Sequence, residues 1–189
     1  MITDRRSIIA GLALIATTSA TMAQTQKQAS VELTAAPMDF ADIKTAPQFF
    51  SGVLGPAELS LSTSQIATEK ATQRNAHEFA GFELGEAITV NMVLKDLGTA
   101  APAIDSKGST VIDKIKTAGK GESFDRAYIA FQLENHEFLR DLADGYLHNS
   151  TGASDPMEKH GRHLAMLMLA VFKEHVAICK RIHAELKAA

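Results

Sequence analysis

Glu83 and Glu86 stand three residues apart in the stretch FELGEAITV, His136 lies in FQLENHEFL and His175 in FKEHVAICK. Residues three or four apart on a helix share a face, so both carboxylates are expected to project from one side of one helix. Each histidine falls among apolar residues at helical spacing. Val171, His175, Ile178 and Ile182 make one stripe, and Ile129, Leu133, His136 and Leu139 make another. An unpaired carboxylate in a core is very costly. Convergence on a cation would remove that cost, and carboxylates with imidazoles suit iron, manganese or zinc. Glu58, in GPAELSLS, is a fifth candidate ligand. In the competing arrangement each histidine is a hydrogen-bonded seam residue. Glu83 and Glu86 then face outward, Phe82 and Leu84 turn inward, and Gly81 and Gly85 mark a close helix crossing.

Other chemistry finds less support. His160 and His163 form an HxxH pair that can chelate metal, as can His77-Glu78 with a neighbour, but without a third ligand the pair reads as solvated histidines at a helix end. Met157, Met166 and Met168 are not spaced as a copper-binding cluster and read as core filler. The single cysteine, Cys179, excludes an internal disulfide, and its apolar neighbours predict a buried, inert thiol. There is no G-x-S-x-G elbow, no glycine-rich phosphate loop and no dinucleotide fingerprint.

The elements that must position the four side chains are helices. Pro47 to Phe50 opens an apolar turn that is expected to end at Gly55, with Pro56 restarting the helix at a first helical position. Leu59, Ser62 and Ile66, or Glu58, Leu61 and Gln65 one position over, suit its inner face. A second helix is predicted from about Thr72 to Leu97, stepping through Phe79, Glu83, Glu86, Val90, Val93 or Leu94, and Leu97. After a loop, TVIDKIKT reads as a short extra helix. A third long helix is expected from an N-cap at Ser123 to about Leu147, and a fourth from Asp155-Pro156 to about Leu186, with Glu158 three residues after its cap. No convincing strand appears. Four long amphipathic helices with short connections predict an all-α antiparallel four-helix bundle, with the short helix between helices two and three.

FDRAYIAFQLENHEF resembles the central signature of the exported bacterial proteins called domain of unknown function 4142, roughly F-D-x-x-Y followed by a histidine about eight residues past the tyrosine. Here these are Phe124, Asp125, Tyr128 and His136. GPAELSLS, with Glu58, and FKEHVAI, with His175, are similar to the family's entry and closing blocks. The likeness covers about residues 46–184 and implies a ferritin-like four-helix bundle without implying an activity. The chain departs from the pattern at Glu86-Ala87, where the family usually has an Asp-His pair, at Glu83, where it has methionine, and at Asn135, where it has an acidic residue. Nor does the chain carry the two Glu-x-x-His motifs of di-iron ferritins.

Residues 1–23 (MITDRRSIIAGLALIATTSATMA) have a positive start, an apolar run at Ile8–Ala16 too short to span a bilayer, and small residues before Ala23. They read as a signal peptide, for ordinary Sec export or, since Arg5-Arg6 resembles a twin-arginine signal, for the twin-arginine route. Residues 24–45 read as a flexible lead and 46–187 as one domain, periplasmic or otherwise exported. Cleavage removes Arg5, Arg6 and Asp4 and leaves 17 basic and 21 acidic side chains. That balance gives no electrostatic case for nucleic-acid binding, and no transmembrane anchor is expected to remain. Three functions are compatible: a structural or binding module of the cell envelope, which is the first expectation; a metal-binding protein with a storage, sensing or oxidase-like role; and a switch driven by protonation of His136 and His175. A protein partner or small ligand is not readable.

Overall fold

The computed structural model describes residues 40–188. Among them every regular element is helical: a 3-10 turn at Phe40–Asp42, then α1 (Ala46–Lys70), α2 (Arg74–Asp96), α3 (Ser106–Thr117), α4 (Glu122–Asn149) and α5 (Pro156–Ala188). The expected signal segment lies outside the described residues. Part of the expected lead does not: Phe40 meets the Phe138 ring edge-on at 5.6 Å, and its carbonyl accepts a hydrogen bond from Asn149.

Three-residue and six-residue connections join α1 to α2 and α4 to α5, so each pair folds back as a helical hairpin. The closest packing is within these two hairpins, followed by α1 against α4; α2 and α5 stand further apart. One apolar cluster gathers Phe79, Ile115, Phe124, Tyr128, Ile129 and Ile182, and a second gathers Phe49, Leu54, Leu94, Leu142, Tyr146 and Phe172.

Pro56 corrects the sequence reading. It does not restart a helix; it lies inside a continuous α1. The uninterrupted helix carries a different face inward: Ala57, Ser60, Thr63, Ser64 and Ala67 are buried, while Glu58, Leu59, Leu61 and Ile66 are only partly so and Gln65 is exposed. The buried hydroxyls have partners on α4. Gln132 accepts from Ser60 Oγ at 3.1 Å and donates to Ser64 Oγ at 3.1 Å and Thr63 Oγ1 at 3.3 Å; Ser64 bonds the Tyr128 hydroxyl at 2.9 Å; and Asn135 donates to Ser60 Oγ at 3.0 Å. Because almost every polar atom in this layer is paired, its burial is tolerable.

Side chains also fix the hairpins' ends. The buried Asp125 carboxylate accepts from Thr72 N at 3.0 Å, Thr72 Oγ1 at 2.8 Å and Gln73 N at 2.9 Å, which ties the α1–α2 turn to α4. Glu185 of α5 accepts from Gln73 and Asn75 at 2.9 and 2.8 Å, which ties the start of α2 to the end of α5. Asp155 caps α5 as expected, accepting from Met157 N and Glu158 N. Glu158 does not close a capping box there. Its carboxylate reaches instead to Ala46 N, at the start of α1, and to the Tyr146 hydroxyl. Gly161 makes this crossing possible, since a Cβ there would lie 2.4 Å from the Ala46 Cβ. The N-cap of α4 is Gly121, at φ 117°, and not Ser123, whose hydroxyl donates back to the Gly119 carbonyl.

Candidate metal centre

Glu83 sits mid-α2, His136 mid-α4 and His175 mid-α5, and all three side chains are buried. Phe82 next to Glu83 is 65% exposed, so α2 turns its carboxylate inward and its phenyl ring out. This disposes of the arrangement with Phe82 turned inward. Gly81 and Gly85 are exposed with open space beside them, so none of the described helices crosses there.

Three atoms converge. Glu83 Oε2 lies 3.2 Å from His136 Nε2 and 2.9 Å from His175 Nδ1, and the two nitrogens lie 3.1 Å apart. They form a nearly equilateral triangle. The two contacts to Glu83 have ion-pair distances without hydrogen-bond angles, and Glu83 Oε2 is a buried acceptor with no hydrogen-bond partner. Each imidazole's remaining nitrogen has an oxygen to face. His136 Nδ1–H donates to the Gln132 carbonyl at 2.8 Å, so Nε2 is the ring nitrogen that faces Glu83 and His175. His175 Nε2 lies 3.4 Å from Glu86 Oε2. Outer oxygens that take up the second ring nitrogen are what orient histidine ligands toward a metal.

The electrostatics follow from burial. Burial by itself favours protonated Glu83, but His136 and His175 outweigh it and hold the carboxyl well below the usual carboxylate range. Burial likewise opposes charge on His136, and Glu83 overcomes it and raises the imidazole. Glu86 is part-exposed and raised by burial, with partial relief from His175. The Cys179 thiol is buried and pushed up by burial and then by Glu83, as an inert thiol would be.

Two carboxylates and two imidazoles named from sequence therefore meet. Glu83, His136 and His175 are the only group of three or more acidic, histidine or cysteine side chains among the described residues that could hold a metal ion. Glu86 stands one step out, against His175. Glu58 does not join them: its carboxylate pairs with Lys95 Nζ at 2.6 Å and borders a separate groove between α1 and the 102–105 loop. The separation comes from the continuous α1, which turns Ser60, not Glu58, toward the centre. His160, His163 and His77 are exposed. Sequence reasoning missed Gln132 and Asp125 as supports. Asp125 stood out only as part of the F-D-x-x-Y block, because its bonding partners lie more than fifty residues away.

No family model matches the chain, and neither a curated protein nor a solved structure shows significant similarity to it.

Proposed function

We propose that the chain is a metal-binding protein in which Glu83, His136 and His175 hold one divalent ion between three helices. The observation that carries this is the triangle itself. A buried carboxylate oxygen without a hydrogen bond faces two imidazole nitrogens, themselves hydrogen-bonded to each other, at mutual distances of 2.9, 3.1 and 3.2 Å. Metal–nitrogen bonds are about 2.1 Å long. Ligands at about 2.1 Å have edges of about 3.0 Å on an octahedron and about 3.4 Å on a tetrahedron, so the triangle fits an octahedral face. Two histidines and one carboxylate on such a face, with the other positions open, is an arrangement suited to iron(II). The same donor set also suits manganese(II) and zinc.

The wider reading rests on the same arrangement. We read α1, α2, α4 and α5 as an antiparallel, ferritin-like four-helix bundle with α3 as its extra helix. The chain would be a divergent relative of the exported proteins of domain of unknown function 4142, on the strength of Phe124, Asp125, Tyr128 and His136, and residues 1–23 its export signal. No described helix is long and apolar enough to cross a membrane. A purely structural envelope module would need the bundle but not the triangle.

The test is metal content by plasma mass spectrometry on untagged protein, beside a His136→Ala/His175→Ala double variant. Stoichiometric iron or manganese in the wild type and none in the variant is the expected result. No metal in either after anaerobic reconstitution would return the chain to the structural reading.

A further inference from the structure

A small cavity adjoins the triangle. Its lining includes Glu83 and His136 of the triangle but not His175, together with Glu86 and the apolar Val53, Ala57, Leu139 and Phe172. Its volume is about 10 Å³, about the room of one water molecule. All of its lining residues are buried except Glu86 and Val90, one helical turn apart on α2. The cavity therefore meets solvent at a rim made by those two side chains.

Resting on the metal reading above, we infer that the centre is open on this side and takes one neutral, water-sized ligand there: water at rest, and a diatomic such as nitric oxide or dioxygen in its place. Three features define this ligand class. The volume excludes an organic substrate. The apolar wall offers no donor to a charged group, since its one polar member, Ser60, already spends its hydroxyl on Gln132. Two carboxylates, Glu83 and Glu86, border the space and repel anions. A neutral diatomic meets none of these obstacles. Binding is simple coordination, with no bond broken in the ligand and no co-reactant required.

The experiment uses the full mature chain loaded anaerobically with iron(II), its iron counted, and then exposed to nitric oxide or to azide, with the adduct read by electron paramagnetic resonance and absorption. The expected result is a stoichiometric iron–nitrosyl signal and no azide adduct at equal concentration. Ala57→Leu fills the cavity and should retain iron while losing the nitrosyl signal. Val90→Phe, at the tolerant rim, should retain iron and slow adduct formation at least tenfold. Iron bound without a nitrosyl adduct in the wild type would overturn the open position and leave the metal reading standing. An azide adduct as strong as the nitrosyl one would overturn the ligand class. Unchanged adduct formation in both variants would overturn the cavity as its place. Failure of the wild type to bind iron at all would remove the metal reading and this inference together.

Discussion

Glu83 is the side chain on which the centre depends. It is the anion of the triangle, and both imidazoles are arranged around it. Glu83→Gln keeps the shape and removes the charge; metal affinity should fall at least tenfold by titration, because a neutral amide is a much poorer ligand. Glu83→Ala removes one partner from a buried charged group and should also destabilise the metal-free protein by roughly 3 kcal/mol in urea unfolding. Equal urea midpoints for wild type and Glu83→Ala would show that the imidazoles gain nothing from the carboxylate. At this scale the sequence was informative for a physical reason. A polar residue on an apolar stripe of a long regular helix must have a partner, and the phase of α2, α4 and α5 is set by many apolar neighbours. Glu58 was misplaced because α1 gives no such reference. Its inner face around the centre is Ser60, Thr63 and Ser64, and a reading that puts leucines inside turns that helix the wrong way. Gln132 is the missing information: only the α4 contact shows that three hydroxyls can be satisfied indoors.

The helices themselves were legible where caps and periodicity agreed, as in α5, and less so where a single residue was given too much weight. Pro56 was read as a boundary because a helix-interior proline forfeits one backbone hydrogen bond; burial of Val53, Leu54 and Ala57 on either side outweighs that loss. Two anchors that no periodicity reveals set how the elements lie against one another. Asp125 receives three hydrogen bonds from the α1–α2 turn, and bonds to a charged group contribute about 1.5–3 kcal/mol each before desolvation is counted. Asp125→Ala should destabilise the fold by roughly 2–4 kcal/mol and also weaken metal binding, since α2 would lose its register on α4. Metal affinity at the wild-type value in this variant would show that Glu83 is positioned by something else. The second anchor is Glu158 with Tyr146. Burial, and then the hydrogen bond to Glu158, push the Tyr146 phenol up to about 12. The phenol titrates near 10 in the unfolded chain, so the folded state holds its proton longer. Stability is then unaffected below pH 10 and falls as pH rises from about 10 to about 12. Tyr146→Phe should flatten that limb of the stability–pH curve; an unchanged limb would assign it to other groups.

Among the described residues two helical hairpins, α1–α2 and α4–α5, meet through α1 and α4, and the proposed centre draws its residues from both. On the proposed reading metal binds the folded arrangement and not the open chain, so a hundredfold excess of metal over its dissociation constant should add about 2.7 kcal/mol of stability. Differential scanning calorimetry with and without iron(II) or manganese(II) reads this directly, and the His136→Ala/His175→Ala variant should show no shift. A shift of equal size in the variant would place the ion elsewhere.

The division of the ligands between the hairpins, Glu83 on the first and both histidines on the second, bears on when and where the ion is acquired. Short connections let each hairpin form early and independently. Neither then owns the full ligand set, and coordination must wait for the two halves to dock. If the proposed ion is bound, a nascent chain is thereby kept from committing to whichever ion it meets first, and the choice of metal would fall to the compartment in which folding is completed. A chain that finishes folding before export would carry the cytoplasm's metal with it, and one that folds afterwards would take what lies outside.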